Sequence, residues 1–184
     1  MEISALMDRR TPRNRKLLPS IAGVAILAIS SLACSAPEKS YETPDSLCGK
    51  SVPSKLLDPF MPPGKRVSVV SRNETEGIRR CRIYVDDKEV LSASSEWLNK
   101  DRSLLEVAAM AYNNVDPGDR KTKDGKYIYS PTGAIGKVTC LTPPTSSERV
   151  FASIRISGGK PNAKALKDLI REYAEELKNS DHCS

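Results

Sequence analysis

Arg79-Arg80-Cys81-Arg82-Ile83-Tyr84-Val85-Asp86-Asp87-Lys88-Glu89-Val90-Leu91-Ser92-Ala93-Ser94 is the stretch that decides the fold. From Arg79 to Val85 the residues alternate. Cys81, Ile83 and Val85 face one way, and Arg80, Arg82 and Tyr84 face the other. A period of two is that of a half-buried strand. Asp86-Asp87 supplies a turn, and Lys88 to Ser94 returns as the hairpin partner. Clean alternation, in place of a continuous apolar run, argues for an antiparallel sheet.

The pattern extends in both directions. Arg66 to Ser71 places Val67 and Val69 on one side and reads as a strand, with Arg72 to Gly77 as a polar loop after it. Val52 to Asp58 makes a short helix with Pro53 in its first turn, ended by Pro59 and Pro62-Pro63-Gly64. Downstream, Ser103-Leu104-Leu105-Glu106 is a capping-box pattern. It opens a helix expected to reach Asn113, with Leu104, Val107, Ala108, Ala111 and Tyr112 on its apolar face. Asn114 to Lys126 reads as a charged loop. Strands are expected at Tyr127 to Tyr129, Ala134 to Leu141 and Val150 to Ile156. After Gly158-Gly159, a last helix runs from Asn162 to Asn179, where Leu166, Leu169, Ile170, Tyr173 and Leu177 recur at helical spacing. The expected fold class is α+β, a mainly antiparallel sheet of about five or six strands with helices packed on one face. A faint repeat of Cys-bearing strand, partner strand and amphipathic helix shows at Cys81 to Asn113 and again at Cys140 to Asn179.

The N-terminal segment has a different character. Arg9, Arg10, Arg13, Arg15 and Lys16 precede an uncharged run from Leu17 to Ala33. That run contains Pro19 and Gly23 and falls short of the roughly 20 apolar residues a spanning helix wants. Ile21 to Ile29 has the length of a signal-peptide core, and small residues lead up to Cys34. The order is that of an export signal. Arg9-Arg10 is followed by Thr11-Pro12, not by the hydrophobic residues of a twin-arginine motif.

Ser31, Leu32 and Ala33 before Cys34 resemble the lipobox of bacterial lipoproteins in its permissive form, with Ser31 where the commonest form has Leu. The resemblance implies a diacylglyceryl group on the Cys34 thiol and cleavage that leaves Cys34 as the new N-terminus. One acyl chain binds a membrane only marginally, whereas two anchor stably. Leu47-Cys48-Gly49 after a short tether, Pro62-Pro63-Gly64 and the late Cys183 make the layout similar to small actinomycete-type lipoproteins. That family supplies no functional residues to carry over. An ordinary secretory signal and an uncleaved anchor remain the alternatives. The expected organisation is a signal peptide at 1–33, the lipidated Cys34 with a flexible tether over 34–46, and one disulfide-stapled domain at 47–184.

Four cysteines remain besides Cys34, namely Cys48, Cys81, Cys140 and Cys183, and none forms a Cys-x-x-Cys pair. An even, widely spaced set in an exported chain reads as two disulfides, not a zinc site. Cys48–Cys81 with Cys140–Cys183 would staple each end of the domain to a strand-like run. The nested alternative, Cys48–Cys183 with Cys81–Cys140, stays open.

Composition bounds the function. Residues 1–33 hold five Lys+Arg and two Asp+Glu of the 29 and 23 in the chain, so 24 and 21 remain, a net charge near +3. Mixed signs at that level are a soluble surface, not a nucleic-acid footprint. The lone His182 lies two residues from the end of the sequence and makes a poor general base. Asp116, Asp119 and Asp124 miss the EF-hand spacing. No metal, cofactor or catalytic residue is expected. Arg80, Arg82 and Tyr84 share a strand face that would suit an anionic partner, such as a lipid headgroup or wall polymer. The expectation is a non-enzymatic, membrane-anchored binding or accessory module on the outer face of the cytoplasmic membrane. An envelope protein is another possible partner. A hydrolase using a carboxylate pair and a structural envelope protein are the alternatives.

Overall fold

The computed structural model describes residues 38–75, 77–110, 114–140 and 148–183. The leader, Cys34 and Tyr112 with the expected helix end at Asn113 therefore lie outside the described residues. Among the described residues no helix is long and apolar enough to cross a membrane.

The hairpin forms at β4 (Ile78–Val85) and β5 (Lys88–Asn99), across Asp86-Asp87. Both turn residues have positive φ, +47° and +65°. A two-residue hairpin loop of the type that matches strand twist requires this, and Asp tolerates it. The Asp86 carboxylate accepts the backbone N–H groups of Lys65 and Arg66, which holds its pKa below the ordinary carboxylate range. Around the hairpin a seven-stranded sheet runs in the order β3-β4-β5-β9-β8-β7-β6, antiparallel throughout. The other members are β3 (Val67–Thr75), β6 (Arg120–Lys121), β7 (Tyr127–Tyr129), β8 (Gly133–Lys137) and β9 (Glu148–Ile156). A separate two-stranded ribbon, β1 (Ser46–Leu47) and β2 (Lys50–Ser51), turns at Cys48-Gly49.

The strand count exceeds the expectation for identifiable reasons. β3 continues through the stretch read as a polar loop, because Arg72 and Asn73 find partners in Arg80 and Arg79. Pairing on a half-solvated edge outweighs low β-propensity. β5 extends to Asn99 because β9 pairs with it from Leu91↔Ile156 to Asn99↔Glu148. β6 is a two-residue edge strand inside the expected charged loop. β8 ends at Lys137, so Cys140 lies beyond the strand expected to hold it.

Helices cover both faces of the sheet, not one. α3 (Ala163–Leu177), capped by the Asn162 side chain, buries Leu166, Leu169, Ile170 and Tyr173 against Ala93, Ala134, Ala152 and Ile154. α2 (Leu104–Ala108) opens on the full Ser103/Glu106 capping box. Its Val107 and Ala108 pack with Ile128, Ile135 and Phe151, the alternate positions of the same strands. Period-two side chains send adjacent residues to opposite faces, so the two clusters lie on opposite sides of the sheet. The faint repeat does not form as read, because Cys140 lies outside any strand; the sheet instead holds two three-stranded meanders, β3-β4-β5 and β7-β8-β9, joined through β5 and β9. Their following helices take opposite faces, which breaks any symmetry between them. The short α1 (Ser54–Leu57) continues into a 3-10 turn at Asp58–Phe60, and Leu57 and Phe60 close the α3 side of the core.

The segment read as a flexible tether over 34–46 is docked from Lys39 onward. Lys39 bridges to Gly64 beside the Ser40 N–H···O=C Gly64 bond. The Lys39 ammonium and the Thr43 hydroxyl both engage Asp58, and the Tyr41 hydroxyl donates to the Pro62 carbonyl. Polar, Pro-punctuated composition gave no period to read, yet its side chains match fixed partners on the body.

The bridges are Cys48–Cys81 and Cys140–Cys183, with Cα separations of 5.7 and 5.2 Å. One ties the ribbon to β4, and the other ties the end of the chain to the segment after β8.

Candidate functional site

The expected anion-binding face, Arg80, Arg82 and Tyr84, forms on the sheet face opposite α3. There it meets the carboxylates of β5. Arg80 Nη2 lies 3.8 Å from Glu96 Oε1, and Arg82 Nε lies 3.5 Å from Glu89 Oε2. Arg155 donates to the other Glu89 oxygen at 2.9 Å. Ser94 donates to Glu96 at 3.1 Å and shares a 2.7 Å hydrogen bond with Ser153. The Glu96 side chain is only 8% exposed. A buried carboxylate is costly without its paired cations, so Arg80 is engaged by Glu96, and Arg82 and Arg155 by Glu89. An anionic ligand here would have to displace Glu89 and Glu96. Arg80, Arg82 and Tyr84 thus share one strand face as read from the sequence, and its two arginines meet the carboxylates of Glu96 and Glu89 there.

On the α3 side the structure holds a cavity of about 310 Å³ that sequence reading did not find. Its walls come from the ribbon turn, β3, β4, β5 and the end of α3. At one side Asp181 closes an ionic clasp, 2.7 Å from Arg79 Nη1 and 3.3 Å from Lys50 Nζ. Each member stands two residues from a bridged cysteine: Lys50 after Cys48, Arg79 before Cys81, Asp181 before Cys183. On β4 the two-residue offset puts Arg79 on the same face as Cys81. The two disulfides therefore fix the backbone that carries the clasp. The Arg79 guanidinium, assisted by Lys50, holds the Asp181 carboxyl below its ordinary value of 3.8. It is thus an ionised acceptor at neutral pH, not a proton donor.

The inner wall carries Tyr173, buried, with its hydroxyl hydrogen-bonded to Ser95. Burial pushes its pKa from 10.0 up to about 12. The folded state keeps this proton where the unfolded chain loses it. The stability linked to Tyr173 is therefore whole below pH 10 and is lost as pH rises toward 12. Tyr173→Phe removes that dependence. Denaturation midpoints at pH 9 and pH 11.5 should fall less for the variant than for the parent, with Tyr41 and Tyr127, whose pKa values burial also raises, contributing to the fall that remains. An equal fall in both would show that Tyr173 ionises freely in the fold.

The remaining candidates are dispersed. Asp119 accepts the backbone N–H of Asp116 within one turn, while Asp124 sits in the turn before β7. Among the described residues no three metal-ligating side chains converge. The His182 side chain lies outside the described residues. Trp97 is half-buried and packs against the main core. The chain matches no family model, no curated protein and no solved structure.

Proposed function

We propose that this chain is an extracytoplasmic lipoprotein, held at the outer face of the cytoplasmic membrane by a diacylglyceryl group on Cys34. Its folded body acts as a non-catalytic binding or accessory module, with the clasped cavity as the ligand site. The cavity is the observation that carries the reading. It offers Arg79, Lys50 and Asp181 as fixed charges, and Ser95 and Asn73 as hydrogen-bonding groups, beside an apolar wall of Leu47 and Leu177. Such a mix of apolar wall and few convergent polar groups is the usual make-up of a ligand site. Its one carboxylate is locked in ion pairs, which favours binding over acid–base chemistry. The leader and the bridged, even set of cysteines support an oxidising compartment outside the cytoplasm.

The partner expected is an envelope protein or an anionic wall or lipid component. A photo-cross-linking residue at Ser71, an exposed position on the cavity wall, tests this in cells carrying the full chain. A discrete adduct is expected. It should disappear when Asn73→Trp, a strand-compatible change, fills the mouth. No adduct above that from a cross-linker at Lys55 on α1 would remove the cavity as the binding site.

A further inference from the structure

We propose that a second cleft, between the turn before β7 and the middle of α3, binds a phosphate-bearing anion. Its volume is about 570 Å³. Lys121 and Lys123 approach from β6 and the turn. Lys167 and Arg171 approach from α3, where their spacing of four puts them on one face. Tyr129, half-buried, lies between the two pairs.

Neutralisation sets this cleft apart from the arginine face. There, Arg80, Arg82 and Arg155 each have a carboxylate partner. Here, Lys121, Lys123 and Arg171 have no carboxylate within 4 Å among the described residues, and Lys167 has only Asp168, at 3.9 Å. Asp124 is the one carboxylate on the cleft wall. It is engaged by the Thr122 hydroxyl and by the Lys126 backbone N–H, which keep its pKa low. Glu175, one turn beyond Arg171, is taken by Lys178. Four cations on one concave wall repel one another, and this cost is offset when an anion sits between them. The planar fork of Arg171 suits two phosphoryl oxygens at once, and the lysines add mobile point charges. The cleft's volume of about 570 Å³ exceeds what a single phosphate fills, so the ligand carries several phosphoryl groups or one group on a larger body. This site is separate from the clasped cavity and does not depend on it, since the two share no wall residue.

Titration calorimetry of the purified full chain in a non-ionic detergent tests the proposal with two soluble probes, sodium tripolyphosphate and dibutanoyl phosphatidylglycerol. Saturable one-to-one binding of either is expected, and it should weaken as salt screens the cleft. The double variant Lys167→Gln with Arg171→Gln should bind about tenfold or more weakly. Lys160→Gln with Lys164→Gln, exposed at and before the start of α3, should leave affinity unchanged. Preference for tripolyphosphate names a soluble source and preference for the lipid headgroup names a membrane source; either supports the site. Failure of both probes to bind, or equal weakening in the two double variants, overturns it. Unchanged circular dichroism of the variants keeps a folding defect out of the comparison.

Discussion

Replacing Cys48, Cys81, Cys140 and Cys183 together by serine leaves the chain unfolded at about 37 °C. The bridges close segments of 33 and 43 residues. On the chain-entropy account, loops of that length each stabilise by about 4 kcal/mol. A domain of this size has roughly 5–15 kcal/mol in hand, so losing both removes most or all of it. The architecture makes each loss specific. Without Cys48–Cys81 the β1–β2 ribbon keeps Leu47 in the core and reaches β4 through the clasp, in which Asp181 bridges Lys50 to Arg79. Without Cys140–Cys183 the segment after α3 loses its covalent tie and relies on turn hydrogen bonds, the burial of residue 183 and the ion pairs of Asp181. Surface pairs of that kind contribute little. Urea unfolding of the two paired variants, Cys48→Ser with Cys81→Ser and Cys140→Ser with Cys183→Ser, measures the terms separately. Each should lose about 4 kcal/mol, less any strain the bridge holds in the native state. Losses below about 1 kcal/mol in both would show that sheet pairing alone carries the fold, contrary to the loop-length argument.

How far the sequence disclosed this structure follows from the reach of each signal. The β4–β5 hairpin was legible because alternation and a two-Asp turn are local, and both survive in the register Cys81↔Ala93 and Ile83↔Leu91. The Ser103/Glu106 capping box and the apolar stripe of α3 were legible for the same reason. The missed parts are set by partners far along the chain. β5 reaches Asn99 only because β9, some fifty residues later, lies beside it. Lys39 is fixed by Asp58 and Gly64, which its own neighbours do not announce. Which face a helix covers is invisible in its own periodicity, since α2 and α3 are both amphipathic yet pack on opposite sides. The clasp left a faint trace in the two-residue spacing from each cysteine, readable only once the pairing is known. The basic cleft left none, because Lys121 and Lys123 meet Lys167 and Arg171 across the edge of the sheet.

Changing Cys34 to Ser should abolish incorporation of a labelled palmitate, because the thiol is the acceptor that the lipobox reading requires. Two acyl chains at about 0.8 kcal/mol per buried CH₂ hold a protein far more firmly than any surface charge, so the effect on membrane attachment is expected to be complete. The variant should either be released or stay as a precursor heavier by the uncleaved leader, and the mass of the chain distinguishes the two. Label that persists in the Ser variant would refute the anchor. An unlabelled parent that stays with the membrane would favour an uncleaved signal anchor, and an unlabelled parent found free would favour plain secretion. The docking of Lys39 adds a geometric consequence. Only five residue steps separate Cys34 from Lys39, a reach of at most about 18 Å. The anchored body would therefore lie close to the headgroups on its β3 side, next to Gly64 and Lys65. Weakening the dock with Asp58→Ala, which removes the acceptor shared by Lys39 and Thr43, should leave lipidation intact. It should also raise the rate at which added trypsin cuts after Lys39, since a lysine held along the body is a poor substrate and a freed one is a good one. Equal cutting of parent and variant would mean that the segment is loose before the change, and the body would then hang on the full tether instead of a short one.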